Sequence, residues 1–426
     1  MPNRACVFHL PHVFHSPQPR ILLAGAFVAV LLLAQSARAD DWPQWRGPDR
    51  NGISKETGWL AKWPDEGPKK LWEGSVGVGY SSFSVSKGHV YTMGNVQDTD
   101  VVSCFDAETG KLVWKHEYAC AAKDPNGYHG TRCTPTVDGD RVYTLSRHGN
   151  FFCLDAGSGK VLWSKDFIKD LSGREPLNGT REGWGFAGSP LIEKSWVLSE
   201  VGGASGASVV AFDKATGDVV WKAGNDVPGY ASLLAFENGG ERCFVQFSTD
   251  QVIGHRMKDG SELWRFPWKT SYGVNAATPI IEGDQMFLSS GYGFGCALLK
   301  VAPTGATEVW RNKTMRNHVN SCVLVGGYLY GFDENELKCL DWKTGEVKWG
   351  AKDYGKGSLM VADGKLILYG GSGKLGLAEV SPEAFKQICS FQALAGKDTW
   401  APPVLAYGRI YVRSLDKVAA FDVKAK

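Results

Sequence analysis

The sequence contains little methionine and has no large surplus of charge of either sign. Its 426 residues include only 6 Met, and 47 Lys and Arg nearly balance 45 Asp and Glu. The net charge of +2 provides no basic field, so we predict no nucleic-acid partner. No segment after residue 40 approaches the roughly 20 consecutive apolar residues of a membrane-spanning helix, which predicts no transmembrane anchor in the mature chain.

Several motifs of catalysis and metal binding are absent as well. The sequence has no HExxH, no P-loop, no G-x-S-x-G and no Cys-x-x-Cys. The segment GYGFG, residues 291–295, loosely resembles a nucleotide-binding loop. It lies between two predicted strands with no helix after it, so a glycine turn is the better interpretation. These absences exclude the zinc peptidases, P-loop enzymes and α/β-hydrolases that carry those motifs.

The first 39 residues have the pattern of a secretory signal peptide. Arg4 and Arg20 precede an apolar run over residues 21–34, which ends near Ala37-Arg38-Ala39. Such a run is too short to cross a bilayer of roughly 30 Å as a helix, which disfavours a membrane anchor. The small-x-small triplet predicts cleavage after Ala39. We therefore predict a signal peptide over residues 1–39 and a periplasmic or secreted mature protein.

Internal repeats are the strongest pattern in the chain. The segments Cys104–Trp114, Cys153–Trp163, Ala211–Trp221 and Cys339–Trp349 are copies of one motif, and degenerate copies end at two further tryptophans. The tryptophans of this series are Trp72, Trp114, Trp163, Trp221, Trp264, Trp310 and Trp349. Their spacing is that of a β-propeller blade. In one copy the Gly suits a turn with positive φ, the Asp accepts turn amides, and the Trp packs between blades. We assign these tryptophans a structural docking role in preference to a ligand or catalytic role.

Apolar hairpins upstream of each motif give the number of blades. Their starts lie near Ser82, Thr134, Ser189, Ser232, Thr278, Ser321, Ser358 and Ala401. The eighth copy stops without its last strand, whereas KKLWEG near the mature N-terminus has no hairpin of its own. Pairing the two would remove an open sheet edge. We predict one all-β domain over residues 40–426, an eight-bladed propeller of four-stranded antiparallel blades closed by an N-terminal strand, and we expect a monomer.

The number and positions of the cysteines leave one possible disulfide open. Nine Cys follow the predicted cleavage site, an odd number, and most sit in the repeats as small apolar residues. Cys120 and Cys133 instead flank a loop in a chain that we predict to be exported, where a disulfide would persist. The sequence leaves a Cys120–Cys133 disulfide and two free thiols as alternatives.

The motif A-x-D-x-x-x-G-x-x-x-W resembles the tryptophan-docking repeat of pyrroloquinoline quinone (PQQ) propellers, over nearly all of the mature chain. The opening DWPQWRGPDRNGIS is similar to exported PQQ-like proteins of planctomycete-type bacteria. The resemblance implies either a quinoprotein dehydrogenase or a quinone-free member such as the propeller of the outer-membrane β-barrel assembly machine. The Cys-Cys pair of the methanol and ethanol dehydrogenase branch and the haem signature Cys-x-x-Cys-His are missing. A branch that oxidises sugars does without the Cys pair, so both implications stay open.

Candidate binding residues precede the first strand of each blade, which lines the channel of a propeller. This rim set is Tyr80, His129, Arg132, Glu182, Trp184, Tyr230, Asn275, His318, Asn320, Lys356, Asp398 and Trp400. Glu182 and Asn275 offer oxygen ligands for Ca²⁺, Asp398 a catalytic base, and Arg132 or Lys356 a cation against a quinone oxygen. A polar, hydrated channel without a ligand is the simpler alternative.

Three functions remain open on these residues. The leading one is an exported, non-catalytic scaffold that needs no cofactor and binds a protein, a small molecule or a saccharide. The second is a periplasmic dehydrogenase of a small alcohol or sugar that depends on PQQ and Ca²⁺. The third, a polysaccharide-binding module, rests on the rim aromatics Tyr80, Trp184, Tyr230 and Trp400. We expect Trp42 and Trp45 to pack across one face of the ring rather than to form a hook for a partner.

Overall fold

Short strands joined by tight turns make up most of the described chain, which in this computed structural model comprises residues 40–123, 127–178 and 181–425. The side chains of residues 177, 178, 181 and 182 are not described. The predicted signal peptide, residues 1–39, also lies outside the described residues, so its cleavage stays a prediction.

Eight sheets form the blades, each built on four antiparallel strands, and the sheet of blade 7 has a fifth strand. The strands of blades 1 to 3 are Ser84–Ser86, His89–Val96, Thr99–Asp106, Leu112–Ala119; Thr136–Asp138, Arg141–Leu145, Asn150–Asp155, Val161–Asp166; and Leu191–Glu193, Trp196–Gly203, Ala207–Asp213, Val219–Ala223. Those of blades 4 to 6 are Leu234–Asn238, Glu241–Phe247, Gln251–Arg256, Glu262–Pro267; Ile280–Glu282, Gln285–Ser290, Gly295–Ala302, Gly305–Asn312; and Val323–Val325, Tyr328–Asp333, Glu336–Asp341, Val347–Ala351. The predicted all-β, eight-bladed propeller is confirmed.

Blades 7 and 8 also receive strands from the N-terminal part of the chain. Blade 7 contains Ser358–Ala362, Lys365–Tyr369, Lys374–Glu379 and Gln387–Gln392, and Ile53–Ser54 pairs in parallel with the first of these. Blade 8 contains Val404–Ala406, Arg409–Arg413, Lys417–Asp422 and the N-terminal strand Lys70–Ser75. Trp72 lies opposite Ala420 in the antiparallel pair that this last strand makes. The prediction that an N-terminal strand closes the ring is therefore confirmed.

Two small elements interrupt the repeat between blades 2 and 3. The helix Phe167–Leu171 begins after Asp166, whose side chain accepts hydrogen bonds from the amides of Ile168 and Lys169, both 3.1 Å long. This is the usual way in which an aspartate caps a helix N-terminus. A two-stranded hairpin follows, Leu177–Asn178 with Arg181–Glu182.

The repeated tryptophans join neighbouring blades. The indole N–H of Trp163 in blade 2 donates to the carbonyl of Lys214 in blade 3 at 3.1 Å. Gly217 in the same turn has a φ of +77°, and a Cβ there would lie 2.7 Å from the Trp163 ring. Glycine is therefore required both by the backbone conformation and by the approach of the indole. Equivalent indole-to-carbonyl bonds join Trp72 to Ala107, Trp114 to Ala156, Trp310 to Trp342 and Trp349 to Ser381.

An N-terminal segment, residues 42–60, contacts every blade. Its hydrogen-bonded pairs, in the order of blades 1 to 8, are Trp42 with Val85, Pro43 with Val137, Arg50 with Pro190, Arg50 with Leu233, Trp45 with Thr278, Arg46 with Cys322, Gly52 with Val361 and Leu60 with Val423. Most of these partners lie in or next to the first strand of a blade. The segment therefore crosses the channel that the first strands surround.

Two buried arginines hold this N-terminal segment in place. Arg46 and Arg50 are only 7% and 4% exposed, and burial lowers the pKa of each to about 10, so both stay charged at neutral pH. Arg46 donates to the carbonyls of Cys322, Asn51 and Arg50 at 2.7, 2.9 and 3.1 Å. Arg50 donates to the carbonyl of Leu233 at 3.2 Å. Hydrogen bonds to carbonyls offset the cost of removing the guanidinium groups from water.

The structure contains no disulfide between Cys120 and Cys133, both of which are described and both of which are free, buried thiols. Cys120 follows the outer strand of blade 1, and its carbonyl accepts from Asn95 Nδ2 at 2.8 Å. Cys133 packs instead in the core that holds Tyr143 and Phe186. Burial raises the pKa of both thiols to about 12. Of the two alternatives left by the sequence, the structure has the free thiols, because the two side chains belong to different packing environments.

Candidate aromatic pocket

One cavity, of about 880 Å³ including the part that is open to solvent, lies among the loops that precede the first strands of the blades. Its wall comes from the loops before the first strands of seven blades, together with Tyr292 from a turn of blade 5. Trp45 of the N-terminal segment also lines it and donates its indole N–H to Thr278 Oγ1 at 3.0 Å. Because the N-terminal segment crosses the channel, the cavity is a pocket that opens on one face of the ring. We call it the aromatic pocket.

Aromatic rings form a continuous belt around the aromatic pocket. Ring centroids are 5.3 Å apart for Tyr230 and Trp184, 6.1 Å for Trp184 and Tyr128, and 5.4 Å for Tyr128 and Trp400. Tyr80 stacks on Trp400 at 5.3 Å with an interplanar angle of 20°. Rings that are held by other rings lose little further freedom when a ligand binds.

The belt continues from Trp400 toward the surface of blade 5. His318 lies 6.4 Å from Trp400 and 4.4 Å from Tyr292, and Tyr272 lies 5.2 Å from Tyr292. Tyr292 and Tyr272 are 40% and 49% exposed, so the outer end of the belt faces solvent. The sequence GYGFG that contains Tyr292 is a turn between the strands Gln285–Ser290 and Gly295–Ala302, as predicted.

Cationic groups lie in and beside the pocket. Arg132 lines it and donates to the carbonyls of Gly130, at 2.6 Å, and Tyr128. The Lys356 ammonium lies 5.7 Å from the Trp400 ring centroid and 3.3 Å from His318 Nδ1. Burial, assisted by Lys356, lowers the pKa of His318 to about 4, so the imidazole is neutral at pH 7 and Nδ1 accepts from the ammonium.

The structure brings together seven of the predicted rim residues. The residues that line the aromatic pocket are Tyr80, Arg132, Trp184, Tyr230, His318, Asn320 and Trp400. Lys356 lies beside Trp400 without lining the pocket, and His129 is exposed in its loop. The side chain of Glu182, a predicted Ca²⁺ ligand, lies outside the described part of the structure.

Two predicted roles do not agree with the geometry. Asn275 is fully buried: its Nδ2 donates to the carbonyls of Ser248 and Thr249 at 2.8 and 2.9 Å, and its Oδ1 accepts from Ser290 Oγ at 2.8 Å. Its amide therefore ties blades 4 and 5 together and does not offer a metal ligand. Asp398 lies in the loop before blade 8, with a φ of +57°, and is not among the residues that line the pocket, so it is not placed as a base there.

The donors around the pocket do not fit Ca²⁺, which takes six to eight oxygen ligands and prefers carboxylates. None of the described residues that line the pocket is an aspartate or glutamate. Within the described ranges, no group of three His, Cys, Asp or Glu side chains is placed to hold a metal ion. Arg132 and Lys356 would repel a dication. We therefore derive no catalytic step through calcium or PQQ.

Three aromatic residues of the pocket, Trp45, Tyr128 and Tyr292, are not among the predicted rim residues. Tyr128 precedes His129 in the same loop, and Tyr292 lies in the segment GYGFG, which is predicted as a glycine turn. Trp45 was expected to pack on one face of the ring but not to contribute to the site. A simple signal was available, because tyrosines and tryptophans are concentrated in the loops that precede the hairpins.

Comparison with protein families finds a match over residues 97–351, more than half of the chain, to the family described as outer membrane protein assembly factor BamB. Among known proteins, BamB of Alteromonas naphthalenivorans is 25% identical over 267 residues, 56% of this chain and 59% of that protein. The dehydrogenase subunit of a quinone alcohol dehydrogenase from Gluconobacter oxydans is 33% identical over 130 residues, 28% of this chain and 16% of the subunit. The chain thus matches less than two thirds of the length of either relative.

Solved structures share the architecture at low sequence identity. BamB from Moraxella catarrhalis matches with a TM-score of 0.59 and 14% identity, over 84% of this chain and 98% of that one. A quinohemoprotein alcohol dehydrogenase from Comamonas testosteroni matches with a TM-score of 0.65 and 13% identity, over 92% and 82%. These likenesses establish the fold and do not distinguish between the functions. Across the described ranges, no helix has the length and apolar character needed to cross a membrane.

Proposed function

Since this chain belongs to the BamB family of PQQ-like β-propellers, we propose that it is an exported, non-catalytic binding protein that holds its ligand in the aromatic pocket. The observation that carries this proposal is the pocket itself: a preformed, one-ended cavity walled by contacting aromatic rings. Such cavities bind small molecules or the ends of larger ones by burying apolar faces. Export is supported by the predicted signal peptide and by the name of the BamB relatives.

The pocket is suited to binding because its wall is held in place before a ligand arrives. The backbone amide of Trp184 donates to the Tyr230 hydroxyl at 3.3 Å, and Asn320 Nδ2 donates to the carbonyl of Gly357 at 2.9 Å. Preorganised contacts reduce the entropy that binding costs. The N-terminal segment adds rigidity where Trp45 lines the pocket, because the segment is hydrogen-bonded to all eight blades.

A second candidate function, a PQQ- and Ca²⁺-dependent dehydrogenase of a small alcohol or sugar, is favoured by the similarity to quinone alcohol dehydrogenases. The pocket does not favour this function, because none of its described lining residues carries a carboxylate that could hold the metal. Of the side chains that the sequence suggested for this chemistry, Asn275 and Asp398 are not among the described lining residues of the pocket, whereas Arg132 is.

Adding PQQ and Ca²⁺ to the purified protein separates the two functions. We expect no reduction of an artificial electron acceptor above the rate of heat-denatured protein, with ethanol, methanol or glucose as substrate. The measurement follows acceptor bleaching and the quinone spectrum together. Substrate-dependent turnover that saturates at one PQQ per chain would replace the binding function with the dehydrogenase.

A further inference from the structure

We propose that cleavage of the predicted signal peptide after Ala39 frees an α-amino group on Asp40 that forms a buried ion pair with Glu56, where blades 1 and 8 meet. This inference concerns the maturation of the exported chain and does not depend on the ligand of the aromatic pocket. Three observations carry it: the position of the Asp40 nitrogen, the burial of Glu56 without a cationic partner in the described structure, and the contacts that tie both blades to this part of the chain.

The Asp40 nitrogen lies at the Glu56 carboxyl group before any cleavage. As a backbone amide of the full chain it donates to Glu56 Oε1 at 3.1 Å. Hydrolysis of the Ala39–Asp40 bond by a signal peptidase consumes one water molecule and leaves a carboxylate on Ala39 and an amine on Asp40. The amine takes up a proton at neutral pH. Cleavage therefore replaces a neutral donor by a cation at hydrogen-bond distance from the carboxyl group.

Glu56 is a buried acid. The residue is only 2% exposed, and this burial raises the pKa of its carboxyl group. The carboxyl group also accepts the backbone amides of Tyr407 and Gly408, the latter at 2.9 Å. Among the described residues, no Lys, Arg or His side chain forms an ion pair with it. A buried charge without a counter-charge is costly, and an ammonium at the position of the Asp40 nitrogen would offset that cost.

The contacts of Asp41 and Glu56 join the first turns of blades 1 and 8, residues 86–87 and 407–408. We call this place the joint. Asp41 accepts from Ser86 Oγ at 2.7 Å and from the backbone amide of Lys87 at 3.1 Å, both in blade 1. It also accepts from the Tyr407 hydroxyl of blade 8. Because the N-terminal strand completes blade 8, the proposed ion pair lies where the ring closes.

Other charged groups near the joint do not supply the cation. The charged and titratable groups here and in the adjoining turn of blade 7 are Asp40, Asp41, Lys55, Lys87, Asp363, Lys365, Tyr407, Arg409 and Tyr411. The partners of the four cations are Asp49 for Lys55 at 2.7 Å, the carbonyl of Gly139 for Lys87 at 3.2 Å, Asp363 for Lys365 at 3.3 Å and Glu108 for Arg409 at 3.5 Å. Both tyrosines are neutral at pH 7, because burial raises their pKa values. These groups leave the buried carboxyl group without a counter-charge in the described part of the chain.

The ion pair also closes a loop that contains much of the N-terminal segment. Asp40 and Glu56 are 16 positions apart. Between them lie Trp45, which lines the aromatic pocket, and the buried Arg46 and Arg50. Joining the two ends of a loop restricts the conformations that are open to it. Processing of the chain therefore stabilises the inner end of the pocket together with the ring.

Export of the full chain into a bacterial periplasm, followed by measurement of the protein's mass, tests the first step. We expect the exported protein to begin at Asp40. A start at any other residue would overturn the proposal, because the ammonium would then lie elsewhere. A variant with one threonine inserted between Ala39 and Asp40 provides the comparison, since its ammonium is displaced by one residue, about 3.8 Å along the chain.

Thermal unfolding of both exported proteins tests the ion pair. At pH 7 we expect the wild type to unfold about 2–3 °C above the insertion variant. Pairing raises the pKa of the amine in the folded state, so the advantage should be lost as the pH rises from about 8 to about 10. Glu56→Gln should remove the difference between the two chains. Glu66→Gln changes an exposed acid nearby in sequence and is the matched control, which should preserve the difference. Equal midpoints at pH 7, or a difference that survives Glu56→Gln, would contradict the ion pair.

Titration of the amine gives a second readout that does not require the Glu56→Gln variant to fold. Competitive acetylation of the native wild-type protein, followed by peptide mass spectrometry, measures the pKa of the α-amino group. We expect a pKa of about 9, compared with about 8 for such a group in a peptide. A value of about 8 would refute the ion pair even if the chain begins at Asp40.

Discussion

Deletion of residues 40–73 is expected to abolish cooperative folding of the propeller. It removes most of the strand Lys70–Ser75, so Lys417–Asp422 becomes an open sheet edge in blade 8. It also removes Arg46 and Arg50, whose side chains donate to the carbonyls of Cys322, Leu233 and Pro190 in the remaining chain. Buried carbonyls without donors are costly, and the combined loss is comparable with the whole stability of a domain, about 5–15 kcal/mol.

Circular dichroism and urea unfolding of the truncated chain measure this effect. A synthetic peptide covering residues 40–75, added in trans, should restore part of the cooperative transition, because it supplies the missing strand and both arginines. If the truncated protein stayed soluble with an unchanged unfolding midpoint, the closure of the ring by the N-terminal strand would not matter for stability.

Replacing Trp163 by Ala is expected to lower the free energy of unfolding by about 3–5 kcal/mol, the usual loss for a large buried aromatic. The indole is 8% exposed and packs on Phe151 at 5.4 Å and on Tyr143 at 6.0 Å. Its hydrogen bond to Lys214 of the next blade is lost at the same time. Because Trp163 is not among the residues of the aromatic pocket, ligand binding by the folded variant should be unchanged.

Leu162 provides the matched control for this substitution. It precedes Trp163 on the same strand but is 43% exposed, so Leu162→Ala should change stability by less than about 0.5 kcal/mol. Chemical unfolding of both variants gives the comparison. A Trp163→Ala protein of unchanged stability that no longer binds its ligand would make this tryptophan a contact residue and contradict its role in docking the blades.

The fold was predictable because each blade repeats the same physical solution. The Trp, Gly and turn Asp of the motif make the same contacts in several blades, and the hairpins upstream of the motif copies indicate that there are eight blades. Closure was predictable for a related reason: the strand missing from the last blade was present near Trp72. The path of residues 42–60 was not predictable, because it depends on contacts with partners far away in sequence.

The site was predictable only in part. The loops that precede the first strand of each blade were predicted to reach the channel. Seven of the predicted rim residues from these loops line the pocket. Position did not show which way a side chain points, and Asn275 therefore turned out to be engaged between two blades. Tyr128 and Tyr292 also line the pocket, from segments that carry no repeat motif. Loop conformation, unlike the repeat, has no periodic pattern from which it can be inferred.

The central claim is that this propeller binds its ligand without quinone and calcium chemistry. Calorimetric titration of Ca²⁺ into calcium-stripped wild-type protein tests this claim most directly. We predict no stoichiometric binding, because the described lining has no carboxylate and Arg132 and Lys356 oppose a dication. The full chain is titrated alone and again with PQQ present. One Ca²⁺ per chain at micromolar or tighter affinity, in either titration, would contradict the claim.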